Sequence, residues 1–316
     1  MMQTMPGAAQ VSQNATALTA LLQYHVVNGM FQSSTFLTTP LVASTLLTAT
    51  PNNPNTSGTA QTLQLTKSLV LSGFKQPSTL TQLDIPFTGG IMHILNTVLT
   101  PPAPPSITAL DTGLTSLAGA LVQTNMAGGV DALPAGVTIF APSNGAFEAV
   151  GAVVQGASRE LLGNVLEYHV LSSSVTNGGA LFSKDLKDMA ERNGGSVSLR
   201  TLQGGTVTVR SEEGKLFVNS ARVTNGDIIT SNGVIHVIDN VMNPLATTAK
   251  PVAAQATQSP VFAGASSQNQ APFTSGLTPT TTLVPATLDV GGGGYAALPT
   301  AALMGVAGAA AVIANL

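Results

Sequence analysis

Four histidines are the residues of this chain best suited to chemistry near neutral pH, and all four occupy repeated positions. His25 follows Tyr24 in ALTALLQYHVVNG (17–29), and His169 follows Tyr168 in LLGNVLEYHVLS (161–172). The other two lie inside apolar runs, His93 in IMHIL (91–95) and His236 in VIHVI (234–238). Spacings of 144 residues between the Tyr-His pairs and 143 between the other two histidines imply two copies of one unit. An imidazole can ligate a metal, relay a proton or hold a buried hydrogen bond. A metal needs three or four donors, and neither pair has a carboxylate or further His at ligand spacing, so no metal or cofactor is expected. His236, flanked by apolar residues, reads as a buried, hydrogen-bonded imidazole, and so does His169 at the end of a packed helix.

Other routes to catalysis are not legible. The chain has no cysteine, which excludes a thiolate nucleophile or ligand and a disulfide framework. It carries no G-x-S-x-G elbow, G-x-x-x-x-G-K loop, H-E-x-x-H pair or dinucleotide fingerprint. A Ser-His-Asp site assembled from distant positions leaves no local signature. Glu212 and Glu213 fall at a hairpin turn, where a solvated loop is the ordinary reading. With 8% charged residues and a net charge of −3, the chain lacks the basic footprint that nucleic acids require.

The elements that would position the histidines follow the same repeat. A length of 316 residues suggests two domains at ~150 residues each. Ala17, Leu18, Leu21 and Leu22 mark one face of a helix, and Leu161, Leu162, Val165 and Leu166 repeat it, which predicts core on both. Thr62–Leu65 and Thr206–Arg210 alternate as half-buried strands, and Glu213-Gly214 turns the second into Lys215–Val218. Asp84-Ile85 aligns with Asp227-Ile228, and Gly90 with Gly233. Prolines 101, 102, 104 and 105 place a stiff linker at 103–106, between a first unit (1–102) and a second (107–244). The second unit begins with a helical pattern through Leu110, Leu114, Leu117 and Leu121 and a turn at Gly128-Gly129. A buried strand at Val137–Phe140 follows, then a short helix capped by Ser143 or Asn144.

TIFAPSNGAFEAVG (138–151), LLGNVLEYHVLS (161–172) and NGVIHVIDNVMNP (232–244) together resemble the sequence hallmarks of a fasciclin domain. The first copy shows LLQYHVV and GGIMHILNTVLTPP but no Phe-Ala-Pro segment, so it is read as a domain lacking its own beginning. The resemblance implies an α+β fold, a β-wedge flanked by helices in tandem repeat. Phe140, Pro142, Asn144, Tyr24, His25, His93 and His236 fall in its structural motifs. It further implies a non-enzymatic adhesion protein of the cell surface or cell wall. Glycans, proteins or further copies of itself would be its partners, with Tyr168, His169, Asp227 and Ile228 as adhesion candidates. The exposed parts are expected at Leu171–Thr176 and the Gly226-Asp227-Ile228 turn. An extracellular carrier of a lipid or small ligand is the alternative.

Residues 245–294, rich in Thr, Ser, Pro, Ala and Gln, read as a disordered, O-glycosylated stalk. Residues 295–316 contain no charged side chain and no basic flank, which reads as a glycosylphosphatidylinositol signal giving a lipid anchor in the membrane. Attachment candidates are Ser275, Gly276 and Ala286. Sequons at Asn14 and Asn55 fit an extracellular chain, although the first residues lack the pattern of a signal peptide.

Overall fold

The structure, a computed structural model, describes residues 15–48, 59–174, 176, 178–279 and 311–315. Asn14, Asn55, Ala286 and most of the 280–316 tail lie outside the described residues. The chain divides into two compact units, the break falling between Ala103 and Pro104.

The second unit opens with helices α3 (Pro105–Asp111), α4 (Thr115–Gln123) and α5 (Ala127–Asp131). The leucine pattern from Leu110 to Leu121 predicts one helix, but Gly113 at φ +85° splits it, because that backbone leaves the helical region. Gly128 and Gly129, expected in a turn, lie within α5. Strand β7 (Val137–Pro142) is buried along its whole length, and helices α6 (Asn144–Ala149), α7 (Gly151–Gln155) and α8 (Arg159–Tyr168) follow. After β8 (Val170–Leu171) come α9 (Ser183–Arg192), β9 (Ser196–Arg200), β10 (Thr206–Glu212), β11 (Lys215–Val218), β12 (Ala221–Thr230) and β13 (Gly233–Ile238). They form one sheet in the order β8-β7-β13-β12-β11-β10-β9. β7 and β13 pair in parallel inside the sheet with both faces covered, which is why their sequences are apolar without alternation. Ile139, Ile235 and Val237 join the helix-side core with Leu117, Leu162 and Leu166. Phe140 and Ile238 join the opposite core with Leu186, Val207, Val209 and Val218. A Cβ on Gly233 would stand 1.9 Å from the Val137 carbonyl oxygen, so the β7–β13 approach requires glycine there.

The first unit repeats the plan with fewer helices. It contains α1 (Ala15–Tyr24), β1 (Val26–Val27), α2 (Ser33–Phe36), β2 (Leu41–Ser44), β3 (Thr62–Leu65), β4 (Leu69–Leu71), β5 (Pro77–Phe87) and β6 (Gly90–Leu95). Its sheet runs β1-β14-β6-β5-β4-β3-β2, where β14 is Ala311–Asn315. Among the described residues the unit has no counterpart of α3 to α7. The expected core face of α1 is correspondingly incomplete: Leu22 is 57% exposed, whereas its counterpart Leu166 is 3% exposed beneath the helices. Leu161, expected in the core of α8, is also exposed, because the buried face of the helix runs through Leu162, Val165, Leu166 and Tyr168.

Residues 245–279 contain neither helix nor strand, yet they are fastened to the second unit rather than hanging free of it. Asn240 Nδ2 donates to the Ser259 carbonyl (2.7 Å), Asn243 Nδ2 to that of Val261 (3.1 Å) and the Gln268 N–H to that of Glu148 (3.0 Å). Phe262, Phe273 and Leu277 pack on the helix-side core, with Phe273 edge-on to Phe147 at 6.1 Å. Apolar residues scattered at wide spacing produce no periodicity, which is why the composition reads as stalk. Residues 280–294 lie outside the described residues.

Candidate functional site

Each unit holds its two histidines in clamps of the same design. In the second unit His169 caps the C-terminus of α8: its Nδ1–H donates to the Val165 carbonyl (2.7 Å) and its Nε2 accepts the Met242 N–H (2.9 Å). In the first, His25 Nδ1–H donates to the Leu21 carbonyl (2.7 Å) and Nε2 accepts the Leu99 N–H (3.0 Å). These partners require the neutral imidazole, because protonated Nε2 could no longer accept. Burial drives the His169 pKa down to about 4, against a smaller opposing effect of the Val165 bond, and lowers that of His25 in the same sense. The clamp ties the C-terminal end of α8, or of α1 in the first unit, to the chain that leaves β13, or β6.

The neighbouring tyrosines are equally internal. Tyr168 donates its hydroxyl to the Thr206 carbonyl (2.6 Å) and accepts from Asn219 Nδ2 (3.0 Å); Tyr24 donates to the Thr62 carbonyl (2.8 Å). Burial raises both phenol pKa values, the Asn219 bond partly offsetting this at Tyr168.

The second clamp joins a bulged strand to a helix N-terminus. Register shifts in β12 between Val223 and Ile228 turn Asp227 to φ +64°, and shifts in β5 between Leu80 and Ile85 turn Asp84 to φ +55°. The Asp227 carboxylate accepts the Ser183 N–H (2.7 Å) and hydroxyl (2.5 Å), capping α9, and Asp84 does the same for Ser33 of α2 at 2.8 and 2.5 Å. The Asp227 N–H donates to His236 Nδ1 (3.3 Å), whose Nε2–H donates to the Leu181 carbonyl (2.8 Å). His93 likewise accepts the Asp84 N–H (3.2 Å) and donates to the Phe31 carbonyl (2.9 Å). Phe140 stacks on His236 at 5.8 Å, and Phe36 meets His93 edge-on at 5.7 Å.

Ser183, Asp227 and His236 have the residue types of a hydrolytic triad but not its connectivity. The serine gives its proton to the carboxylate, and both imidazole nitrogens are engaged with backbone, so no base faces a nucleophile.

The four adhesion candidates Tyr168, His169, Asp227 and Ile228 are 0, 1, 5 and 1% exposed, respectively. The expectation of an exposed Gly226-Asp227-Ile228 turn is therefore corrected: these residues belong to the bulge of β12, and the aspartate faces a helix end rather than solvent. Of the segment 171–176, Leu171 and Thr176 are buried while Ser174 is exposed. Pro142 is buried in β7 opposite Ile238. Asn144 does not cap α6, a task taken by Ser143, which accepts the Ala146 N–H at 3.1 Å. It bridges the α3–α4 break instead, accepting from the Ser116 N–H (3.0 Å) and donating to the Gly113 carbonyl (3.0 Å). Missed by sequence reasoning was Ser183 as the partner of Asp227, 44 residues away; its counterpart Ser33, 51 residues before Asp84, was the one available signal.

An apolar cavity beside His169, lined also by Leu117, Leu121, Met126, Ile139 and Leu166, has a volume of about 20 Å³. Among the described residues no cluster of three ligating side chains could hold a metal ion, and no helix is long and apolar enough to cross a membrane.

The Fasciclin domain family matches residues 2–101 and 112–244. A fasciclin-like arabinogalactan protein of Arthroderma benhamiae is 31% identical over 87% of this chain, which spans 63% of that relative's length. The fasciclin-like arabinogalactan protein elcF of Phaeosphaeria nodorum is 29% identical over 71% of this chain and 68% of its own length. Among solved structures, a FAS1 domain pair from the insect cell adhesion molecule fasciclin I aligns at a TM-score of 0.41 and 17% identity, covering 75% of this chain and 83% of that one. With both matched segments built on the same paired clamps, the chain belongs to the fasciclin-domain family, whose domain is a non-catalytic module of adhesion and matrix interaction.

Proposed function

We propose that this chain is displayed at the cell surface or in the cell wall and adheres through weak contacts with glycans, proteins or further copies of itself. Display of many copies multiplies such contacts, so no single tight site is needed. The observation that carries the reading is the use of all four imidazoles and both aspartates for backbone clamps, which leaves a surface of neutral polar groups and few charges. Ser174, exposed in the Leu171–Thr176 segment that follows Tyr168 and His169, remains the centre of the proposed contact segment. Arabinogalactan in the relatives' names favours a glycosylated extracellular setting, in keeping with the sequons at Asn14 and Asn55.

Display is assigned to residues 295–316 as a glycosylphosphatidylinositol signal. Ser275 and Gly276 are exposed in a turn and accessible to processing; Ala286 is the third attachment candidate. Phosphatidylinositol-specific phospholipase should release the protein from cells, and recovery of mature protein ending at Leu316 would exclude the anchor. The carrier reading gains little from a cavity with room for about one water. Self-association and cell-wall glycan binding of the purified chain, beside a lipid extraction of the same sample, test the choice: stoichiometric lipid without adhesion would overturn it.

A further inference from the structure

The two sheets have the same strand order, but they fill one position differently. In the second unit β7 lies between β8 and β13, antiparallel to the first and parallel to the second. In the first unit the corresponding gap between β1 and β6 is filled by β14, from the far end of the chain and in the opposite direction. It runs parallel to β1 (Val26 opposite Ala314) and antiparallel to β6 (Leu95 opposite Ala311, Met92 opposite Ala314). Without a strand there, β1 and β6 would each present an unpaired edge of backbone N–H and carbonyl groups, in β6 next to the apolar residues Ile91, Ile94 and Leu95. Backbone pairing sets few demands on strand direction or side-chain identity, which is how a segment unrelated to β7 can occupy its place.

We propose that the gap between β1 and β6 is a strand-accepting site, and that its occupant is Ala311–Asn315 of the same chain. The C-terminal segment thereby plugs the open sheet of the first unit for as long as the chain retains it. The proposal does not depend on the anchor reading: processing that removed residues 295–316 would vacate the site, and phospholipase release tests that step separately.

Because the chain has no cysteine of its own, register pairs can be tested directly by disulfide trapping in the full chain. M92C combined with A314C places one cysteine on β6 and its partner on β14. L69C with T79C, a β4–β5 pair, serves as the control for a folded first unit. Under mild oxidation both double variants should close an intramolecular disulfide, seen as a faster-migrating monomer that reverts on reduction. Closure of the control pair without closure of the 92–314 pair would overturn the proposal. A disulfide-linked dimer at 92–314 would also overturn it, by assigning the strand to a second copy. As an independent readout, I313P, which removes a backbone donor from β14, should raise hydrogen exchange in β6 at least tenfold while β13 stays protected. Unchanged protection of β6 would count against the plug.

Discussion

Substituting Asp227 by alanine should destabilise the second unit severely, and the cost can be worked from the bonds it breaks. The carboxylate is the partner of both the Ser183 N–H and the Ser183 hydroxyl, at 2.7 and 2.5 Å, at a position 5% exposed. Hydrogen bonds to a charged group contribute ~1.5–3 kcal/mol each, and a buried donor left without an acceptor bears its desolvation cost. Alanine also tolerates φ +64° less well than aspartate, adding about 1 kcal/mol. The total is about 4–7 kcal/mol, which at roughly 3 °C per kcal/mol for a unit of this size lowers its melting temperature by ~12–21 °C. Calorimetry should resolve the loss in the second unit's transition alone. D227N, which keeps one acceptor and tolerates positive φ, should lose about half as much. D84A should cost the first unit less, because Asp84 is solvent-exposed and its bonds to Ser33 are screened. An unchanged melting temperature for D227A would refute the clamp and return Asp227 to the surface role inferred from sequence.

Acid should unfasten the other clamp: His169 has a folded pKa of about 4 and an unfolded value near 6.5, so the unfolded chain binds the extra proton first. Stability is full above pH ~6.5 and falls by ~3 kcal/mol in total as the pH drops to about 4; urea midpoints across this range check it, and H169Q should flatten the slope. His25 contributes in the same direction in the first unit. G119A should loosen the 245–279 segment, since a Cβ there would stand 1.8 Å from the Phe273 carbonyl oxygen; faster proteolysis between residues 253 and 279, with the core intact, is the expected result. G233A should do more damage, about 3 kcal/mol or more by equilibrium unfolding, because the Cβ meets the Val137 backbone between the paired interior strands β7 and β13.

How much of this was legible in the sequence depends on the range of the interaction. The repeat placed Tyr24 with Tyr168, His25 with His169 and His93 with His236, and each pair does share one environment. Period-two alternation located β10, whose burial alternates as read; it also placed β3, although there Leu63, Gln64 and Leu65 are all buried, and Glu213-Gly214, both at positive φ, turns β10 into β11 as read. The aspartates escaped the same logic. A polar residue between strand-like segments reads as a turn, and only the bulge, together with a helix N-terminus dozens of residues away, reverses that reading. Leu22 escaped for the opposite reason, since a helical stripe says which face is apolar but not whether anything covers it. The 245–279 segment holds on by isolated contacts at Asn240, Asn243, Gln258 and Phe273, and no periodicity marks such a strap.

The central claim is adhesion by many weak contacts, and the most direct measurement varies copy number alone. Beads carrying the full chain at increasing surface density would be applied to cell-wall preparations and to beads bearing the same chain, with soluble protein measured in parallel. The account predicts no saturable binding of soluble protein at micromolar concentration and attachment of beads that rises steeply above a threshold density. Tight, saturable binding by the soluble monomer, or no attachment at any density, would contradict it.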